Sequence, residues 1–334
     1  KTDEWKENLE RVLDGRTPDY LVVSHLEPDH AGSIKEFADK YPEAKIVASA
    51  KAIAMLPQFF EIADLADRAV AVKEGEELSL GSHTLQFFMA PMVHWPEVMV
   101  EYEKSEKILF SADGFGKFGA LDADEDWTCE ARRYYFNIVG KYGAQVQALL
   151  KKAATLDIQT ICPLHGPILK ENLGYYIGKY MTWSSYEPED DGVLVAYASI
   201  HGNTKTAAEK MKEILEAKGA KKVAITDLSR DDMAEAIEDA FRYDKLVLAA
   251  ASYDASVFPC METFLNKLTN KNYQNRKIAI IENGSWAPTA ARVMKSYVEK
   301  MKKITLCEKT VTIKSAMKEA DVAQLEALAD ALMA

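Results

Sequence analysis

The chain predicts an α/β protein of two domains, and three observations carry that expectation. Its 334 residues suffice for about two domains of ordinary size. In the first half, short apolar runs end in polar loops and lead into helix-periodic segments, which is α/β layering. Residues 184–192, polar, acidic and containing Pro188, then separate two differently patterned halves. The boundary is placed there, giving domains 1–185 and 192–334. Beyond it, five apolar runs alternate with five helical patterns, as in a doubly wound five-stranded parallel sheet.

Each element follows from its residues. Residues 2–13 form an amphipathic helix with Trp5, Leu9, Val12 and Leu13 on one face, ended by Asp14-Gly15. Strands are predicted over 20–23, 45–48 and 69–72, with helices over 31–41 and 50–60. The alternating run 84–89 suits a half-buried strand. Residues 98–102 and 107–110 read as a hairpin, 125–152 as a helix, and 158–161 as a strand. In the second half the strands are 193–198, 222–226, 245–250, 277–281 and 305–313. The helices are 204–218, 233–241, 260–269, 290–301 and 321–333.

Composition narrows the function classes. A 48% hydrophobic and 28% charged chain is a soluble globular protein. The formal net charge of -11 argues against nucleic acid or anionic membrane as a partner. Cys129, Cys162, Cys260 and Cys307 form no C-x-x-C pair, so neither a disulfide framework nor a cysteine metal knuckle is expected. The expected compartment is the reducing cytoplasm. No apolar run approaches the roughly 20 residues of a membrane span.

The stretch Ser24-His25-Leu26-Glu27-Pro28-Asp29-His30 follows the apolar run Tyr20-Leu21-Val22-Val23. Pro28 keeps Leu26-Glu27 out of regular helix. Two histidines and two carboxylates at H-x-E-x-D-H spacing are the usual ligand types for a divalent metal. His94 and His165 also lie in loops after strands, and so does Asp113. Side chains remote in sequence converge at strand ends, so these seven together suit a sheet-edge metal site. Seven ligands are too many for one metal and suit two with a bridging carboxylate. Glu27, Asp29 and Asp113 with one hydroxide would balance two divalent ions.

These motifs, with His94-Trp95-Pro96, Phe110-Ser111-Ala112-Asp113-x-Phe115-Gly116 and His165-Gly166, resemble the metallo-β-lactamase-like domain of the flavodiiron proteins. The resemblance implies an αββα sandwich. It also implies one iron on His25, Glu27 and His94, another on Asp29, His30 and His165, and Asp113 as the bridge. Hydrolases of that superfamily have His where Glu27 stands, and the added hard oxygen donor favours iron over zinc. The family begins with further strands ahead of the region starting at Lys1, so the chain is expected to lack them. Gly114-Phe115-Gly116-Lys117-Phe118-Gly119 fits G-x-G-x-x-G, but no helix pattern opens after it, so dinucleotide binding is not expected there.

A second site is expected in the other half. Ser199, Ile200, His201, Gly202, Asn203 and Thr204 follow a strand and open a helix, which makes an anion cradle. Two later strand ends, one with Ser252, Tyr253, Asp254 and Ala255 and one with Asn283, Gly284, Ser285 and Trp286, offer aromatics among small polar residues. A flat ring stacked at the carboxyl edge of a sheet needs such groups. This half resembles flavodoxin along its length, which implies FMN, with its phosphate on 199–204 and its ring near Tyr253 and Trp286.

Together the two resemblances imply a flavodiiron oxidoreductase that reduces dioxygen to water, nitric oxide to nitrous oxide, or both. Electrons would pass from an external donor through FMN to the two irons. No cysteine pair follows the flavodoxin half, so the donor is expected to be a separate rubredoxin. A head-to-tail homodimer, or a dimer of dimers, is expected to bring flavin and iron together. The alternatives are a dinuclear-metal hydrolase fused to a flavodoxin-like domain, and a non-catalytic flavin electron carrier.

Overall fold

The computed structural model describes residues 1–334. Helix α1 (Thr2–Leu13) ends where Asp14 turns left-handed, at φ 47, with its N–H on the Glu10 carbonyl. Strands β1 (Tyr20–Val23), β2 (Lys45–Ser49) and β3 (Ala69–Val72) form a parallel sheet in that order. Between them run α2 (Pro28–Ala31), α3 (Ile34–Lys40), α4 (Ala50–Met55) and α5 (Leu65–Arg68). The helix expected over 31–41 is therefore divided. Pro28 lacks the N–H that a first turn leaves unused, so it opens a separate single turn ahead of α3. The helix expected over 50–60 stops at Met55, and Leu56–Gln58 tighten into a 3-10 turn around Pro57.

A second sheet follows: β4 (Glu77–Ser79), β5 (Thr84–Met89), β6 (Met99–Glu103), β7 (Ile108–Phe110) and β8 (Thr160–Cys162), in that order. Its pairs are antiparallel except β7 with β8. After β7 come α6 (Trp127–Tyr134), a π turn, a 3-10 turn, and α7 (Gly143–Ala153). The single helix expected over 125–152 is thus broken. At Gly143 an added Cβ would sit 2.4 Å from the Ser184 carbonyl, so the close approach there requires glycine. Helix α8 (Leu173–Ser184) had no counterpart in the sequence reading, although Ile177, Tyr180 and Trp183–Ser184 carry the i, i+3 spacing of a helix.

The two sheets face each other. Val47 and Val72 of the first pack with Leu85, Phe87 and Met99 of the second. On the outside of the first sheet, Ile46 and Ala48 meet Leu26, Ile34, Ala38 and Ala52. Outside the second, Leu109 and Ile161 lie with Leu150 of α7 and Ile177 of α8. The result is an αββα sandwich.

The remaining chain forms β9 (Asp190–Ala198), α9 (Asn203–Ala217), β10 (Val223–Asp227), α10 (Met233–Arg242), β11 (Tyr243–Tyr253) and β12 (Ser256–Val257). Then come α11 (Pro259–Asn270), β13 (Gln274–Asn283), α12 (Ala290–Val298), β14 (Lys302–Ile313) and α13 (Glu319–Met333). The order β10-β9-β11-β13-β14 is parallel throughout, and β12 pairs antiparallel with β11. That is the 2-1-3-4-5 order of flavodoxin-like folds. Val193, Val195 and Tyr197 face α9 and α13. The alternate residues Leu194, Ala196 and Ala198, also buried, point to the other side.

By compactness the chain divides into Lys1–Asp124 with Ala144–Gly178, and Glu125–Gly143 with Lys179–Ala334. In the second unit the Phe136 ring stacks on Phe241 at 4.1 Å, and Arg132 bonds Glu238 at 3.1 Å, both charges buried. No helix is long and apolar enough to cross a membrane.

Phe87 is fully buried between the two sheets. Phe87→Ala should therefore lower the stability of the first unit by about 3–5 kcal/mol. Urea unfolding reads this as a lower midpoint than that of the parent chain.

Candidate metal centre and cofactor cleft

Strand ends deliver the seven expected metal-ligating side chains. His25 and Glu27 follow β1, Asp29 and His30 lie on α2, His94 follows β5, Asp113 follows β7, and His165 follows β8. The last two loops are tied together by Ser111 N–H to Cys162 O at 3.1 Å and Leu164 N–H to Ala112 O at 2.9 Å. Ala112 takes φ 49, an unfavourable conformation for a residue with a Cβ, immediately before Asp113.

The seven fall into two clusters, His25, Glu27, His94 and Asp113 in one and Asp29, His30 and His165 in the other. In the first, His94 Nε2 lies 3.0 Å from Glu27 Oε2 and 3.1 Å from Asp113 Oδ2, and His25 Nε2 lies 3.4 Å from each. In the second, His30 Nε2 lies 3.4 Å from Asp29 Oδ2, and His165 Nε2 lies 3.3 Å from it. The other Asp113 oxygen, Oδ1, faces this cluster, 3.1 Å from His30 Nε2 and 3.7 Å from His165 Nε2. Asp113 thus offers one oxygen to each side.

Asp113 is fully buried, and its Oδ2 has no hydrogen bond. A buried carboxylate oxygen without a donor is costly, and a cation among these imidazoles would satisfy it. Imidazole and carboxylate donors without thiolate suit iron, manganese or zinc. Burial opposes ionisation of Asp113. The hydrogen bond from His30, the His94 imidazole 3.1 Å from Oδ2 and the charge of His25 outweigh that and hold the carboxyl far below its usual range. Burial likewise works to lower His30 and His94, but Asp113 and the nearby carboxylates raise both above the usual imidazole value.

Sequence reasoning missed the groups behind this cluster. Glu97, buried, accepts from His25 Nδ1 at 2.8 Å and from the Leu26 N–H at 3.0 Å. Its place just after His94-Trp95-Pro96 was the available signal. The Trp95 ring stands edge-on to His25 at 5.2 Å. Behind Ser24, Glu101 accepts the Ser24 hydroxyl at 2.8 Å, and burial pushes its carboxyl up to about 8. Of the other histidines, His83 bonds Glu103 at 3.2 Å in the hairpin region, and His201 borders the cleft described next. The glycine-rich run 114–119 leads into no helix before Trp127. Its first turn is closed by Ser111 Oγ–H to Gly114 O at 2.7 Å, which packs backbone beside Asp113.

A cleft of about 430 Å³ opens at the carboxyl ends of β9, β11 and β13. Ser199, Ile200, His201, Asn203, Thr204, Ser252, Tyr253, Asp254, Ala255, Asn283, Gly284, Ser285 and Trp286 all border it. Gly202 does not; left-handed at φ 91, it caps α9, and its N–H bonds Ser199 Oγ at 3.1 Å. Ala251, Ala287, Thr289 and Ser315 border the cleft without having been foreseen. Ser252 Oγ accepts the Thr289 N–H at 2.8 Å, and Asn283 Oδ1 accepts the Ser315 N–H at 3.1 Å. These bonds hold Thr289, at the far end of the loop after β13, and Ser315, from the loop after β14, at the rim. The start of α9 presents free backbone N–H groups to an anion. Tyr253 and Trp286 are 44% and 93% exposed, so two aromatic rings stand available to a planar ligand. The volume lies in the range of cofactor sites.

Residues 3–166 match the model of the ODP family beta lactamase, and residues 194–319 match a flavodoxin domain. The anaerobic nitric oxide reductase flavorubredoxin of Aeromonas hydrophila is 27% identical over 85% of this chain and 59% of its own length. Among solved structures, the rubredoxin oxygen:oxidoreductase of Desulfovibrio gigas is 25% identical, with a TM-score of 0.88 over 96% of this chain and 82% of that one. A flavo di-iron protein variant from Thermotoga maritima shares the fold at 24% identity, with a TM-score of 0.88 over 99% of this chain and 83% of that one. The chain spans between 40% and 61% of the length of the curated relatives it matches.

Metal must displace the protons that His30 and His94 hold in the metal-free protein. Co(II) uptake should therefore strengthen as pH rises through and above the ordinary imidazole range, with proton release. Calorimetry in two buffers of different ionisation enthalpy counts those protons; uptake without pH dependence would contradict the assignment.

Proposed function

The chain belongs to the flavodiiron protein family, a β-lactamase-like domain followed by a flavodoxin domain, and from that premise we propose that it reduces dioxygen to water, nitric oxide to nitrous oxide, or both. The observation that carries the reading is Asp113, buried, with one oxygen toward each of two histidine–carboxylate clusters. The family's cofactors are FMN and a diiron centre. The donors and the cleft described above fit both. His25, Glu27 and His94 would hold one iron and Asp29, His30 and His165 the other, with Asp113 offering an oxygen to each. Residues 199–204 would hold the FMN phosphate, and Tyr253 and Trp286 its ring. The functional modules are 1–185 and 192–334.

When bound, the flavin supplies electrons one at a time and the iron pair delivers them to the gas. Dioxygen takes four electrons and four protons to two waters; two nitric oxides take two of each to nitrous oxide and water. The chain's own residues set the conditions. Glu27, Asp29 and Asp113 offset most of the charge of two ferrous ions, which lowers the cost of holding them where water is scarce. The depressed carboxyl of Asp113 keeps it a ligand rather than an acid. Glu97 fixes the tautomer of His25, so that its Nε2 lone pair faces the cluster. Around the cleft, the hydroxyl of Ser199 orients the 199–204 loop, and the start of α9 stabilises a phosphate.

The proposed donor is a rubredoxin, supported by two relatives, a nitric oxide reductase flavorubredoxin and a rubredoxin oxygen:oxidoreductase. The proposed assembly is a head-to-tail homodimer, or a dimer of dimers, in the cytoplasm.

Protein purified without added metal should contain two irons and one FMN per chain. With reduced rubredoxin it should consume dioxygen or nitric oxide. Zinc in place of iron, with hydrolysis and no gas consumption, would overturn the proposal in favour of a hydrolase. Trp286→Ala should weaken FMN binding by about 1 kcal/mol, roughly five-fold. Titration of flavin fluorescence measures it, and an unchanged affinity would remove Trp286 from the ring site.

A further inference from the structure

The two halves of the metal cluster differ in what stands behind their ligands. The His25 ring is closed between two acceptors: its Nε2 faces Glu27 and Asp113, and its Nδ1 bonds the Glu97 carboxylate at 2.8 Å. The side chains of His25 and Glu97 are both fully buried. The same Glu97 oxygen also accepts the Leu26 N–H at 3.0 Å. Glu97 is also held from its own backbone, since the Ser49 hydroxyl donates to the Glu97 carbonyl at 2.7 Å. By contrast, the carboxylate contacts of His30 and His94 all run through Nε2, on the metal side. Solvent access is unequal too. The side chains of His25, Glu27 and His94 are 0%, 34% and 10% exposed, and those of Asp29, His30 and His165 are 49%, 12% and 32% exposed, so the second position is the more open by its Asp29 and His165.

We infer that Glu97 makes the two metal positions unequal, the His25–Glu27–His94 position binding its ion more tightly than the Asp29–His30–His165 position. The inference rests on the proposed diiron reading and adds to it an order of loading and loss. A carboxylate on Nδ1–H draws that proton toward itself and makes Nε2 a stronger electron donor to the ion. It also places a carboxylate directly behind a ligand of that position, in a medium that screens it weakly. The Asp29–His30–His165 position has two part-exposed ligands, against one, Glu27, in the other, so water and chelators compete there on more sides. Glu97 is a positioning residue here, since it touches the ligand and not the ion.

The test uses the full chain loaded anaerobically with ⁵⁷Fe(II) and challenged with a colorimetric chelator. Iron should leave in two equal steps. Mössbauer spectra taken between them should show the loss of one of two distinct ferrous sites. Glu97→Gln keeps an acceptor for both N–H groups and removes only the charge. It should accelerate the slow step by about 10–100-fold, leave the fast step unchanged and retain FMN. Glu97→Asp keeps the charge and should restore the two-step release at least in part, which a merely space-filling role would not predict. A single release step in the parent chain, or a slow step unaltered in Glu97→Gln, would overturn the inference. Failure of the function proposal looks different, as a chain that takes up no iron. The same comparison made with Co(II) then still decides whether Glu97 separates the two positions.

Discussion

The first unit depends on one constraint: a carboxylate, Asp113, must stay ionised with no exposure to water. Desolvation alone would neutralise it. What keeps it charged is the set of imidazoles around it, His30 by a hydrogen bond, His94 close beside it and His25 by its charge. His30 and His94 in turn are raised by the same carboxylate. The cluster therefore holds its components in mutual dependence, and removing one member leaves an uncompensated buried charge. The backbone accepts a left-handed Ala112 beside Asp113 to reach this arrangement.

The sandwich supplies the geometry that this constraint needs. β1 belongs to one sheet and β5, β7 and β8 to the other, so ligands come from both layers. Ser24 O accepts the Met99 N–H at 3.0 Å, which ties the ligand loop of the first sheet to the second. Glu97 continues the tie through Leu26 and His25. Phe87 and Met99 fill the space between the layers, so the packing that stabilises the unit also sets the distance between the ligand loops.

The second unit solves a simpler problem. A parallel sheet places its loops at one edge, and the 2-1-3-4-5 order leaves a crevice where successive connections diverge. Loops after β9, β11 and β13 line it, Thr289 of the last tied to Ser252, and Ser315 from the loop after β14 tied to Asn283. At the ligand end, helix polarity, hydroxyls and two exposed aromatics line the crevice.

Much of this was legible from residues alone. The alternation of apolar runs and helical patterns determined the doubly wound half, whose strands and helices lie within a few residues of their expected limits. The H-x-E-x-D-H stretch and the polar ends of the other strands marked the ligand types. Local patterning was weaker wherever a helix had to break. The interruption of 125–152 at Gly143 depends on the distant Ser184 carbonyl. Only tertiary structure decided which side chains meet. His83 and His201 are as capable of ligation as His94, but the sheet order takes them elsewhere. His30 meets Asp113 from 83 positions away, and Glu97 meets His25 from 72 positions away. Sequence encodes what each residue can do with near neighbours. Strand pairing and the packing of two sheets, which depend on the whole chain at once, determine which of those capacities are brought to one point.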